Sequence, residues 1–271
     1  MSEEVERSEV LRAAPAQALG ALLDVPVPDV EDDGLPLLWH WIYLLDRPAQ
    51  ADLGPDGHPV RNAVPAPPEP GRRRMWAGGR VRTHGPLRCG LPATRRTKVL
   101  SVQEKQGRTG RLTFVIVGHR ICQEDRLVVD EQQDLVYRDA AAGAVPDSGD
   151  QQVQQAAEDE WSIDVTPTLL FRFSALTYNA HRIHYDRDYA RDVEGYPGLV
   201  THGPLQALVM AEAARRSGAS GPLHFDYRLV APLFDHQGLV ACAVPGSGAT
   251  ETAVRDRYGR QTATGTVRTL S

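Results

Sequence analysis

The strongest periodic signal in the chain lies between Gly203 and Arg216, where Leu205, Leu208, Val209, Ala211 and Ala213 recur at helical spacing. Arg215-Arg216 and then Gly218 supply the basic last turn and glycine stop of such a helix. Strand-like segments follow at His224 to Val230, Leu239 to Val244, Thr252 to Arg257 and Gln261 to Leu270, with Tyr258-Gly259-Arg260 as a turn. The first half repeats that order. Val10, Leu11, Ala14, Leu19, Leu22 and Leu23 predict one or two helical turns interrupted by Pro15. Strands are predicted at Val81 to Thr83, Thr94 to Val102, Leu112 to Ile121 and Leu127 to Tyr137, with Gly107-Arg108-Thr109-Gly110 as a hairpin tip.

Other stretches are less regular. Pro36 to Leu45 is mostly apolar and suits either a buried strand or a short helix. Residues 46 to 71 are rich in Pro and Gly and predict an extended loop, of a length typical of disorder or a functional lid. Val165 to Phe173 reads as a short strand. Residues 139 to 160 have almost no large apolar side chain and read as an exposed linker between halves 1–140 and 161–271. A faint echo links the halves: Arg80 through Pro86-Leu87 to Gly90-Leu91 resembles Arg228 through Pro232-Leu233 to Gly238-Leu239. A helix with antiparallel strands, twice over, predicts an α+β fold in which a curved sheet wraps a helix, rather than βαβ units.

Composition narrows the function. The 271 residues are 41% hydrophobic and 24% charged with a net charge of −5, which gives no reason to expect nucleic acid or an anionic membrane as partner. No GxGxxG, Walker loop or HExxH is present. Cys89, Cys122 and Cys242 lack metal-ligand spacing and read as free thiols, so no metal site is expected. With no apolar signal core and no run approaching a membrane span of ~20 residues, a cytoplasmic location is expected.

Candidate chemistry concentrates in residues 171 to 206. His184 is the leading acid/base candidate, because imidazole changes protonation near neutral pH. Asn179 offers an amide to orient water or a carbonyl, and His181 adds a second imidazole. Gly203 presents a backbone N–H at a helix N-terminus, where the dipole favours developing negative charge. These are the parts needed to move a proton beside a carbonyl while holding its enolate. A serine-hydrolase reading is weaker, since Ser174 has no Gly-x-Ser-x-Gly elbow. Arg72, Arg73 and Arg74 are either a solvated turn or a phosphate-binding group. Trp76, beside Gly78-Gly79, either packs in the core or lines a cleft.

Phe173-Ser174-Ala175-Leu176-Thr177 to His184-Tyr185-Asp186, then Tyr196-Pro197-Gly198-Leu199-Val200-Thr201-His202-Gly203, resembles the hydratase-2 motif of MaoC-like hot-dog proteins. The closer likeness is to the 3-hydroxyacyl-thioester dehydratase branch, whose relatives include mesaconyl-CoA and itaconyl-CoA hydratases. Trp39 to Tyr43, the proline-rich loop and Arg73 to Gly78 extend it over most of the chain. The resemblance implies a double hot dog, with residues 1–140 accommodating the acyl chain and 161–271 carrying the active site. It implies addition or removal of water at C2–C3 of an acyl thioester, without metal or redox cofactor, CoA or phosphopantetheine being part of the substrate. His184 and Gly203 match the family's base and oxyanion glycine, while Asn179 stands where the common pattern has Asp, His181 where it has Asn, and Arg182 where it has Pro. His181, Tyr178, Tyr185, Gly198, His202, Arg73, Arg74 and Trp76 are the expected substrate-binding residues. Two alternatives stay open: a tailoring enzyme for cyclisation or epimerisation, and a non-catalytic acyl binder. Either a monomer or a homodimer fits.

Overall fold

The computed structural model describes residues 4–60, 72–107, 110–139 and 152–270. Ten strands form one antiparallel sheet: β1 (Val5–Val10), β2 (Arg72–Thr83), β3 (Pro92–Gly107), β4 (Gly110–Gln123), β5 (Arg126–Asp139), β6 (Trp161–Ile163), β7 (Leu223–Leu229), β8 (Leu239–Pro245), β9 (Ala249–Arg255) and β10 (Gln261–Thr269). Their order is β1-β3-β4-β5-β2-β7-β10-β9-β8-β6. It is a palindrome of two like halves, with β2 and β7 equivalent and paired at the centre.

Three helices accompany the sheet: α1 (Ala13–Leu23), α2 (Pro167–Thr177) and α3 (Gly203–Arg216). Every residue of α3 from Leu205 to Ala214 is buried, and the helix packs against β7 to β10 and the end of β2. Its alanines keep it narrow enough for the sheet to close around it. Its two buried polar side chains are both partnered: Glu212 with Arg215, and Gln206 with Thr262. This is the helix-wrapped sheet expected of a hot dog. The inner face of β3 to β5 meets no comparable helix; His40 and Trp41, on the one-turn 3₁₀ helix Trp39–Ile42, lie against it instead.

Several local expectations need correction. Residues 7 to 23 divide into β1 and α1, and Pro15 does not interrupt the helix. It sits in the first turn, where its missing N–H has no intrahelical acceptor to lose. Val165 to Phe173 is mostly helix: Thr166 caps α2 by accepting from Leu169 N–H at 3.1 Å, and Pro167 starts it. Leu169, Leu170, Phe173 and Ser174 then share one buried face. Pro36 to Leu45 resolves as the 3₁₀ turn. Residues 61–71 of the proline-rich loop, 108–109 of the hairpin tip and 140–151 of the expected linker lie outside the described residues.

The central seam pairs Gly78 to Arg82 of β2 with Arg228 to His224 of β7. β2 bulges between Trp76 and Gly78 on its other side, against β5. A Cβ at Gly78 would lie 2.4 Å from the Tyr227 carbonyl oxygen, and one at Gly79 would lie 2.5 Å from that of Gln132. Neither backbone can move without opening the sheet. Gly78→Ala is therefore expected to cost about 1–3 kcal/mol. A lower urea midpoint with an unchanged slope would show it, and an unchanged midpoint would refute the seam's dependence on this glycine.

Candidate active site

The turn after α2 builds the site. Tyr178 adopts a left-handed conformation (φ 53°) that ends the helix, and Asn179 Oδ1 then accepts from His181 N–H at 3.0 Å. A single 3₁₀ turn, Arg182–His184, carries His184 inward. His184 Nδ1 lies 2.7 Å from the Val200 carbonyl oxygen, and Val200 N–H donates back to the Ile183 carbonyl. The carbonyl only accepts, so Nδ1 carries the hydrogen and Nε2 keeps a lone pair. His202 stacks on the opposite face, with centroids 3.6 Å apart, and its Nε2 meets Ser174 Oγ at 2.9 Å. His181 stands edge-on at 5.3 Å.

Burial pushes the His184 pKa down to about 4, against the pull of the Val200 bond. It pushes His181 and His202 well below the ordinary imidazole value, and a proton on a neighbouring ring would lower them further. The cluster is uncharged at neutral pH.

Gly203 begins α3, so its N–H has no acceptor within the helix. A Cβ there would strike Leu229 Cδ1 at 2.2 Å, so glycine also lets the helix start seat against β7. His184, His181, Asn179 and Gly203 all border one cavity of about 860 Å³. Its far wall comes from the other half: Arg95 on β3, His119 on β4, Glu131 and Gln133 on β5. Trp41 and Trp76 stand between, edge-to-face at 5.6 Å, and Trp76 Nε1 donates to Tyr227 Oη at 3.0 Å.

The sequence-predicted residues divide accordingly. Arg74 and Trp76 border the cavity, and among the described residues the Arg74 guanidinium has no hydrogen-bond or ion-pair partner. Tyr178 and Tyr185 border it with largely exposed rings. Three others are placed elsewhere. Arg73 pairs through Nε with Glu194 at 2.6 Å and lies over the Tyr196 ring, and it is not among the residues that line the cavity. Gly198 makes room for Asp235, which bonds Leu199 N–H. His202 is fully buried and reaches the cavity only through the His184 ring it supports. The Arg72 side chain lies outside the described residues.

Sequence reasoning missed Asp56 and His58, which arrive from the proline-rich loop; His58 borders the same cavity and Asp56 lies behind it. It also missed the polar row on β3 to β5, where Glu131 accepts from Trp41 and Gln133 and lies 2.9 Å from His40. The signal for that row was present: His119 on β4 and Glu131 and Gln133 on β5 interrupt the inward apolar positions Val117, Ile121, Val129 and Leu135. Donor atoms of Asp56, His58 and His181 lie within 4.8 Å of one another. Asp56 already bonds His58, and the Arg74 cation faces the group, so a hydrogen-bonded pair accounts for it better than a metal ion.

A family model described as hydroxyacyl-thioester dehydratase type 2 matches residues 38–235. The chain belongs to this family. Mesaconyl-C(4)-CoA hydratase of Chloroflexus aurantiacus is 46% identical over 230 residues, 81% of this chain and 79% of that protein. Two solved structures share the fold at low identity. A MaoC-like dehydratase from Phytophthora capsici has a TM-score of 0.68 at 15% identity, covering 100% of this chain and 97% of its own. A Mycobacterium tuberculosis protein described as a double hot dog has a TM-score of 0.60 at 14% identity, covering 98% of this chain and 95% of its own. This family member is a MaoC-like double hot dog and a hydro-lyase that adds or removes water on enoyl and 3-hydroxyacyl thioesters. No helix among the described residues is long and apolar enough to cross a membrane.

Five histidines whose charged form burial disfavours (His58, His119, His181, His184 and His202) make the family member acid-sensitive. Their folded pKa values lie below the unfolded value of about 6.5, so the unfolded chain binds more protons as pH falls through that value. Stability is fully present above pH ~7 and declines toward pH 5, by up to about 1.4 kcal/mol for each histidine at pH 5.5. Urea titrations at pH 7.5 and 5.5 would show it; equal midpoints would contradict it.

Proposed function

We propose that the chain hydrates a short enoyl thioester whose acyl group carries a free carboxylate. The observation that carries this reading is the cavity itself. His184 Nε2 and the Gly203 N–H share one wall, and the Arg74 cation, which feels the Asp56 charge but has no hydrogen-bond or ion-pair partner among the described residues, borders the same space.

In the forward direction, His184 Nε2 takes a proton from water and the oxygen bonds to C3. The C2–C3 π pair moves toward the thioester oxygen, which Gly203 N–H and the α3 dipole receive. Asn179 keeps its Oδ1 on the His181 amide, so its NH₂ is the part left to meet the water. His181 and His202 hold the His184 ring.

The acyl side of the cavity supports a small, polar group. Arg95, His119, Glu131 and Gln133 give that side polar groups beside the apolar Ile121 and Leu135. A carboxylate could accept from Arg74, an interaction worth about 1.5–3 kcal/mol. The mesaconyl group named for the Chloroflexus relative, an unsaturated dicarboxylic acid esterified at one end, has this chemistry. The reading gives residues 1–140 the acyl group and residues 161–271 the proton transfer, in a cytoplasmic enzyme using a CoA or carrier-bound thioester.

Two measurements test it. His184→Ala should lower kcat by about 10² to 10⁴ on a carboxylate-bearing enoyl-CoA, and full activity would end the assignment. Arg74→Met should lower the preference for that substrate over crotonyl-CoA by roughly 10- to 100-fold in kcat/KM. An unchanged preference would place the carboxylate elsewhere.

A further inference from the structure

Just before the undescribed part of the proline-rich loop, the chain makes a tight turn that reaches across to the other half. Leu53 bridges to Pro59, Gly54 N–H donates to the His58 carbonyl at 2.7 Å, and His58 N–H donates to Asp56 Oδ1 at 2.9 Å. Arg182 fastens this turn to the catalytic segment. Its backbone N–H donates to the Asp56 carbonyl at 2.8 Å and its Nη1 to the Pro55 carbonyl at 3.0 Å. Gly57, at φ +89°, has a Cβ direction that ends 1.8 Å from the Ala180 carbonyl oxygen, so no other residue fits this contact. The His58 ring comes to rest 4.0 Å from that of His181, on the wall of the cavity that holds His184.

Asp56 Oδ2 lies 2.9 Å from His58 Nδ1. Burial acts to raise the Asp56 pKa, yet its bonds to His58 bring it below the ordinary carboxylate value, so it is an ionised acceptor. Nδ1 therefore carries the hydrogen, and Nε2 is the nitrogen left for the cavity. The difference from His184 is chemical. His184 leans on a neutral carbonyl and His58 on a carboxylate, so an added proton is held better on His58. Arg74 on β2 opposes that proton, as do His181 and His184 across the cavity, while Tyr189 and Glu194 face Asp56.

We propose that His58, oriented by Asp56, is a second acid–base residue of this site, exchanging the proton at C2 while His184 exchanges that of water. The proposal rests on the hydratase reading above. In hydration His184 Nε2 takes a proton from water as the C3–O bond forms, leaving an enolate at the thioester. His58 enters the cycle with a solvent-derived proton on Nε2, held there by the Asp56 carboxylate on its other nitrogen; as the carbonyl re-forms, its electron pair returns to C2, which takes that proton. His184 has then gained one proton and His58 has lost one, and exchange with water restores both. Asp56 touches no reacting atom and is a positioning residue.

The test compares pH profiles of the wild-type chain, His58→Gln, Asp56→Asn and His184→Ala with a carboxylate-bearing enoyl-CoA and crotonyl-CoA. His58→Gln should lower kcat by about 10² to 10³, change KM less than about 3-fold, and abolish the alkaline limb of the profile. Asp56→Asn, which preserves the turn's hydrogen-bonding shape, should lower kcat about 10-fold and move that limb to lower pH. Either variant, folded by its melting temperature yet with wild-type kcat and an unmoved alkaline limb, overturns the role of His58. In that case an active wild type with an inactive His184→Ala leaves the hydratase reading standing. A wild type that turns over no enoyl thioester removes both.

Discussion

The antiparallel pairing between Gly78–Arg82 and Arg228–His224 is the constraint on which the rest depends. It makes one sheet from two halves and fixes their distance at a single strand spacing. The cavity draws one wall from each half, so its width is set at this seam. Tyr227, which accepts from Trp76 across the seam, stands at the same place in the sheet. Two glycines without side chains thus hold a polar wall of β3–β5 at working distance from the start of α3.

Within that frame, burial governs the chemistry. His184 is enclosed by His202, His181 and the Val200 carbonyl, and removal from water costs the imidazolium more than the neutral ring. Such a ring is a base at neutral pH but a poor carrier of the proton it accepts. A hydration must also deliver a proton to carbon; position 179 brings no carboxylate to the site, and in the inference drawn above Asp56 supplies one through His58. Arg182 ties the two together, because a proline there would have no N–H for the Asp56 carbonyl.

Much of this was legible along the chain, and the reasons are local. α3 was bounded correctly because an amphipathic repeat, a basic last turn and a stop glycine all agree on the same limits. The strands of both halves follow their β-branched runs. Val165 to Phe173 misled because its apolar run suits either state, and the deciding cue was one threonine followed by one proline. His184, Asn179 and Gly203 form a compact stretch of sequence, so their association was visible. Asp56 and His58 lie more than a hundred residues upstream, in a loop whose composition says only that it is irregular. Nothing but the folded contact with Ala180 and Arg182 brings them in. Arg73 and Arg74 show the converse limit: neighbours on a strand point to opposite faces, and only the partners reveal which face meets the ligand.

The palindromic order of the sheet has a further consequence when set beside its helices. One half wraps β7–β10 around α3, which is buried from Leu205 to Ala214. The other presents β3–β5 in the same arrangement but sets only a single 3₁₀ turn against them, and the cavity of about 860 Å³ borders those strands. The cavity thus lies where the twin half holds a helix, and the asymmetry between two copies of one architecture is what leaves the molecule its open volume.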